Sequence, residues 1–192
     1  NIWNSTAQLN LSAANTYSGG TFINEGTVDP GNSACFGTGP VTLGANGSSA
    51  GTYIKNSGSE SDTITNALVV NPGGVRQIYC ANAPTMNWAG LITLVGGATL
   101  EFGPNGNTTW AISGGTAGTG TLYLGENAGR TATINVNNNP INHVGVVSNA
   151  IPGGASTVAI SAVIGSNITG VLQNSAGPMV LTGTNTYSGP TT

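Results

Sequence analysis

Leu11-Ser-Ala-Ala-Asn15-Thr16-Tyr17-Ser18-Gly19-Gly-Thr21 returns near the end of the chain as Leu181-Thr-Gly-Thr-Asn185-Thr186-Tyr187-Ser188-Gly189-Pro-Thr191, and Asn-Thr-Tyr-Ser-Gly is identical in both copies. The motif at 11–28 thus recurs at 181–192, where the second copy reaches Thr192 partway through the unit. Internal repetition of this kind marks an elongated, stacked architecture built from supersecondary units, not a closed globule. The expectation is one continuous segment, residues 1–192, cut from a longer repetitive chain.

Composition narrows the fold class. Only 5% of the 192 residues are Asp, Glu, Lys or Arg, against roughly 25% in an average soluble domain. All of them lie between Glu25 and Arg130. Hydrophobic content of 38%, in short Val/Ile/Leu runs, argues against disorder. Gly, Asn, Ser and Thr separate these runs, as in all-β proteins with many short strands. Strand candidates are 8–11, 21–24, 27–28, 41–43, 52–54, 64–70, 74–79, 90–95, 98–102, 109–112, 120–124, 131–136, 141–147, 157–164, 169–173 and 179–181. No window long enough for a helix keeps a helical period without a Gly or Pro inside it, so essentially no α-helix is expected.

Between a sandwich, a barrel and a solenoid, two features select the solenoid. A closed barrel cannot extend a long-period repeat. In a stacked coil each side chain also sits about 4.8 Å above its equivalent on the next rung. Like charges then repel along whole columns, whereas Asn, Ser and Thr hydrogen-bond up and down. At about 20–25 residues per coil the chain holds about eight or nine coils, a rod roughly 40 Å long.

At this level of detail residues 11–28 resemble the autotransporter-associated β-strand repeat of large bacterial surface proteins. Its usual form is Leu-Thr-Gly-x-Asn-Thr-Tyr-[Ser/Thr]-Gly-Gly-Thr-x-[Ile/Val]-Asn-x-Gly-Thr-[Leu/Val]. Phe36-Gly-Thr-Gly-Pro-Val41-Thr-Leu43 matches part of the element that follows in the family, and residues 164–183 are similar to its lead-in strand pair. The similarity covers about residues 7–44 and 160–192; the centre shares only texture. The resemblance implies a right-handed parallel β-helix displayed outside the cell, secreted or on the cell surface, as a passenger-type scaffold without catalytic residues or cofactor. Nothing in the chain resembles an outer-membrane barrel.

The remaining chemistry is sparse. With a net charge of −3 and only Lys55, Arg76 and Arg130 as cations, no positive stripe for nucleic acid exists. No apolar run reaches the roughly 18 residues of a membrane span. The carboxylates are Glu25, Asp29, Glu60, Asp62, Glu101 and Glu126. Glu60 and Asp62 sit beside Ser57-Gly-Ser59, which reads as a solvated loop. The sharper alternative, a facing acid pair, requires the two across a cleft with one pKa raised. His143 is the single histidine and has no acidic neighbour, so a turn or rung histidine is favoured over metal or triad chemistry.

Cys35 and Cys80 are the two cysteines. Their separation amounts to about two coils, and strands two rungs apart are roughly 9–10 Å from each other. That exceeds the ~7 Å Cα limit for a bridge. Two small apolar side chains in separate rungs are favoured, with a Cys35–Cys80 disulfide as the alternative.

Trp3, Trp88, Trp110, Tyr17, Tyr53, Tyr79, Tyr123 and Tyr187 form a sugar-stacking platform only if they face one way; aromatics of a solenoid more often fill its interior or clamp corners. Tyr17 and Tyr187, at equivalent positions, read as corners.

The leading functional expectation is a non-catalytic segment of an extracellular rod or filament that spaces, coats or adheres. Its partners are further copies of itself, stacked or linked end to end, with surface glycans as a second class. The competing enzyme reading, a β-helical polysaccharide lyase or hydrolase, needs acids clustered with Arg or Lys on one face. A third, a flat threonine surface for ice or a crystalline polymer, needs regular Thr-x-Thr columns over several rungs. Thr131-Ala-Thr133 is the isolated local form of these.

Overall fold

The computed structural model describes residues 7–57, 61–80, 85–104, 106–125, 131–149 and 156–192. Trp3, Glu60, Glu126 and Arg130 lie outside them. The described residues contain strands and turns but no helix. In chain order the strands are β1 (Gln8–Leu11), β2 (Thr21–Ile23), β3 (Gly26–Pro30), β4 (Val41–Leu43), β5 (Thr52–Asn56) and β6 (Asp62–Ile64). There follow β7 (Leu68–Val70), β8 (Arg76–Cys80), β9 (Thr85–Trp88), β10 (Ile92–Phe102), β11 (Thr109–Ile112) and β12 (Thr116–Leu124). The last are β13 (Thr133–Val136), β14 (Val144–Asn149), β15 (Thr157–Ile160), β16 (Ile168–Gln173) and β17 (Met179–Leu181).

Every strand pair is parallel, and each strand bonds to the one a full turn away. The result is a three-faced β-solenoid. The first face stacks β1, β3, β5, β8, the C-terminal half of β10, β12, β14 and β16. The second stacks β6, β9, β11, β13, β15 and β17. The third stacks β2, β4, β7 and the N-terminal halves of β10 and β12, and continues through single bridges at Ile141 and Ile164. The six strands of the second face mark about six turns, fewer than the eight or nine expected. The difference arises because no second-face strand precedes β6 among the described residues; successive turns on that face, Thr85 to Thr109 to Thr133 to Thr157, keep the expected length.

Alternation within each strand decides what is inside. On the first face Val28, Ile54, Ile78, Phe102 and Leu124 stack in one column, all fully buried. On the second, Ile64, Trp88, Ile112, Val136 and Ile160 do the same. Ile23, Leu43, Val70 and Leu94 line the third. Each such side chain contributes about 1.5–3 kcal/mol by leaving water. Phe102 meets Trp110 edge-on at 5.3 Å, joining the first and second faces across the interior. The indole N–H groups of Trp88 and Trp110 find no acceptor, a cost of about 1–3 kcal/mol each against their large apolar area.

Corners are made by residues that tolerate tight or left-handed backbone. The expected separate strands 90–95 and 98–102 are one bent strand, β10. Its first half pairs with β7 and its second with β8, and the register shifts between Leu94 and Ala98. The bend falls at Gly96 and Gly97, with φ of +57° and +82°, values that strain a residue with a Cβ. At the corner between the second and third faces the turns approach so closely that a Cβ on Gly90 would collide with the Asn66 carbonyl oxygen. A Cβ on Gly114 would strike the Gly90 carbonyl oxygen in the same way.

The corner between the third and first faces is held by Arg76. Its side chain is 1% exposed, yet it points inward as a cation. Nε donates to the Asn71 carbonyl (3.1 Å), Nη1 to those of Ala50 and Val75, and Nη2 to those of Ser48 (2.9 Å), Ala45 and Pro72. These acceptors belong to the corner loops of two successive turns, so one guanidinium ties them together. Burial holds its pKa below the usual arginine value, far short of neutrality at ordinary pH. Arg76→Ala leaves six corner carbonyls without that donor and is expected to destabilise the fold by at least about 3 kcal/mol. Arg76→Lys restores only part of this, having fewer donors and no fork. Denaturant midpoints by circular dichroism check the prediction, and an Arg76→Ala midpoint equal to wild type refutes it.

Candidate functional surface

The repeat motif sets the shortest turns of the solenoid. Along the first face these run from Gln8 to its partner Thr27 and from Val171 to its partner Thr191. The intervening turns are all longer, among them Thr27 to Tyr53, Tyr53 to Gln77 and Tyr123 to Ser148. Both copies close with the same bond: the Tyr17 hydroxyl meets Thr21 Oγ1 at 2.6 Å, and the Tyr187 hydroxyl meets Thr191 Oγ1 at 2.7 Å. Asn15 Nδ2 donates to the Cys35 carbonyl (2.8 Å) and the Thr38 amide donates to the Tyr17 carbonyl (2.9 Å). In the second copy Asn185 Oδ1 accepts from the Ile164 amide (2.9 Å), whose carbonyl accepts from the Thr186 amide (2.9 Å). Asn15, Thr16, Tyr17, Ser18 and Gly19, like Asn185, Thr186, Tyr187, Ser188 and Gly189, therefore lie along tight scaffold turns.

The two copies do not share a face. Leu11 ends β1 on the first face and Leu181 ends β17 on the second. Thr21 opens β2 on the third face, and Thr191 pairs with Val171 on the first. The second copy is advanced by one face.

The carboxylates are dispersed. Asp62 is not in a solvated loop, as the sequence suggested: it starts β6, is 5% exposed, and accepts from Ser33 Oγ (3.1 Å) and Asn56 Nδ2 (3.2 Å). β-Strand alternation turns it inward, where it ties neighbouring turns. Asp29 accepts from the Ser57 amide (2.9 Å) and from Gln8 Nε2 (3.4 Å). Glu101 is half-buried on the first face, and desolvation raises its pKa. Among the described residues no group of three or more His, Cys, Asp or Glu is placed to hold a metal ion.

His143 is fully buried in a rung. Its Nδ1 lies 2.8 Å from Thr116 Oγ1 and its Nε2 3.2 Å from the Val146 carbonyl oxygen. A carbonyl only accepts, so Nε2 carries the proton and Nδ1 accepts from the threonine hydroxyl. Burial lowers the histidine pKa, with the Val146 carbonyl opposing in part. Cys35 is a free, buried thiol in a turn that follows β3, and the backbone of Cys80 ends β8, two rungs from β3 across β5. Burial first, and the Asp62 carboxylate second, push the thiol up to about 12.

The aromatics divide by chemistry. Trp88, Trp110, Phe36 and Phe102 are inside and fully buried. Tyr53, Tyr79 and Tyr123 all project outward from the first face, where Tyr53 and Tyr79 meet edge to face at 6.0 Å. Thr85, Thr109, Thr133 and Thr157 stack in register along the second face. The adjacent outward column reads Asn87, Ala111, Asn135 and Ala159, so the Thr-x-Thr array of an ice-type surface does not form. Sequence reasoning missed both this column and the Arg76 clamp. The constant spacing from Thr85 to Thr109, Thr133 and Thr157 was the available signal for the first.

Compared with known proteins, residues 5–29 and 173–192 match the family model of the passenger-associated-transport-repeat. No curated protein and no solved structure matches the chain. The two matches, together with the solenoid, fit an autotransporter passenger repeat region. That family implies a secreted or surface-exposed protein.

Two measurements check the buried titratable groups. Because His143 has a folded-state pKa below its unfolded value near 6.5, the stability of its neutral form is complete above about pH 6.5 and is lost as pH falls through that value. Wild type is expected to lose stability relative to His143→Gln between pH 7 and 5 in thermal melts; a pH-independent difference contradicts a neutral buried ring. Cys35, protonated at pH 8, is expected to resist alkylation until the protein is denatured. Rapid labelling of folded protein, mapped by mass spectrometry, contradicts that.

Proposed function

We propose that this chain is a non-catalytic structural segment of an extracellular β-solenoid rod or filament on a cell surface, a passenger that spaces, coats or adheres. The observation that carries the reading is the stack of parallel ladders that runs through the described residues, with the repeat motif forming its tightest turns. The carboxylates support the same reading. Asp62 is engaged by Ser33 and Asn56 inside the coil, while Glu101 stands alone on an outward column.

Further copies of the same fold, stacked or linked end to end, are the proposed partners. Leu9, Tyr17 and Phe22 are 41%, 40% and 47% exposed around the first described turn, an apolar surface of the kind that a further turn covers. Electron microscopy of the full-length protein is expected to show thin, unbranched rods. Compact particles would falsify the proposal.

A further inference from the structure

The first face carries an outward surface unlike that of the other two. Thr27, Tyr53, Gln77, Glu101 and Tyr123 form one column, each residue one rung from the next. Lys55 and Tyr79 pair in the neighbouring column, where burial first, then Tyr53 and last the Asp29 carboxylate, raise the Tyr79 pKa. From Tyr53 to Tyr123 the column covers roughly 14 Å along the rod. All the outward aromatics of the described residues between Phe22 and Tyr187 are here: Tyr53, Tyr79 and Tyr123.

Three properties of this patch point to one class of ligand. Tyrosine rings offer apolar faces with polar tips, which suits sugar rings that have C–H faces and hydroxyl edges. Gln77 and Glu101 sit between the rings and supply an amide, which both donates and accepts, and a carboxylate, which accepts. Glu101 has no hydrogen-bond partner among the described residues, so its acceptor capacity is open. Finally, the local charge of Asp29, Lys55 and Glu101 sums to one negative unit, which disfavours an anionic chain.

We propose that the first face binds an uncharged polysaccharide laid along the rod axis, its rings against Tyr53, Tyr79 and Tyr123 and its hydroxyls on Gln77 and Glu101. This adds a ligand to the rod and does not depend on how the protein is exported or whether its ends associate. The rod reading is tested by particle shape, so either can fail without the other.

Affinity electrophoresis in gels containing dextran, laminarin or hydroxyethylcellulose, with polygalacturonate as the anionic comparison, tests it. Retardation by at least one neutral glucan, stronger than by polygalacturonate, is expected. Tyr53→Thr/Tyr79→Thr, which keeps strand propensity, is expected to weaken retention at least tenfold with an unchanged circular dichroism spectrum. Leu91→Thr, on a different corner of the rod, is expected to leave retention unchanged. If the double variant does not fold, Tyr123→Thr replaces it, with a several-fold loss expected. No retardation by any of the three glucans, preference for polygalacturonate, or full retention by the folded tyrosine variants overturns the proposal.

Discussion

Hydrogen bonds in this molecule run along the rod axis, from each strand to its equivalent one turn away, and every other choice follows from them. A parallel ladder in register places residue upon residue at about 4.8 Å, so a side chain must be acceptable to its own copies in space. Val, Ile, Leu and Phe meet that condition inside by packing. Thr85, Thr109, Thr133 and Thr157 meet it outside as small, uncharged neighbours. Polar groups bridge rungs where they can: Ser113 Oγ reaches Asn87 Oδ1 at 2.9 Å, and Asn149 Nδ2 reaches Gln173 Oε1 at 3.2 Å.

The same constraint explains where the few charges go. A charge on a column needs a different kind of neighbour above and below, and Glu101 has Gln77 and Tyr123. Inside the coil, charge is admitted only with dense hydrogen bonding. Arg76 has six carbonyl contacts and Asp62 has Ser33 and Asn56. Both are fasteners between turns: Arg76 reaches the Ala45, Ser48 and Ala50 carbonyls of the preceding turn, and Asp62 reaches Ser33.

Architecture was legible because local alternation and the Gly-rich corners speak for themselves: β1, β4, β11 and β17 lie where the pattern places them. Corners that lack glycine were harder. Residues 64–70 read as one apolar strand, but Thr65-Asn66-Ala67 turns between β6 and β7, and Asn66 Nδ2 donates to the Gly37 and Gly39 carbonyls at 3.0 and 2.7 Å. That bond is to a preceding turn and has no local signature. β9 was overlooked because its four residues follow a proline, and only their pairing one full turn before β11 marks them. The tyrosine patch on the first face was equally hidden. The sequence holds the candidate aromatics, but which of them look outward depends on register.

The one-face advance of the motif has a consequence for anything that reads the rod from outside. Its two tyrosine corners look out in directions about a third of a revolution apart, although their sequences coincide. A flat partner lying lengthwise along this molecule meets one copy and misses the other. Engaging both requires a partner that wraps, or several that approach from different sides, so identical code here spells a winding track instead of a straight seam.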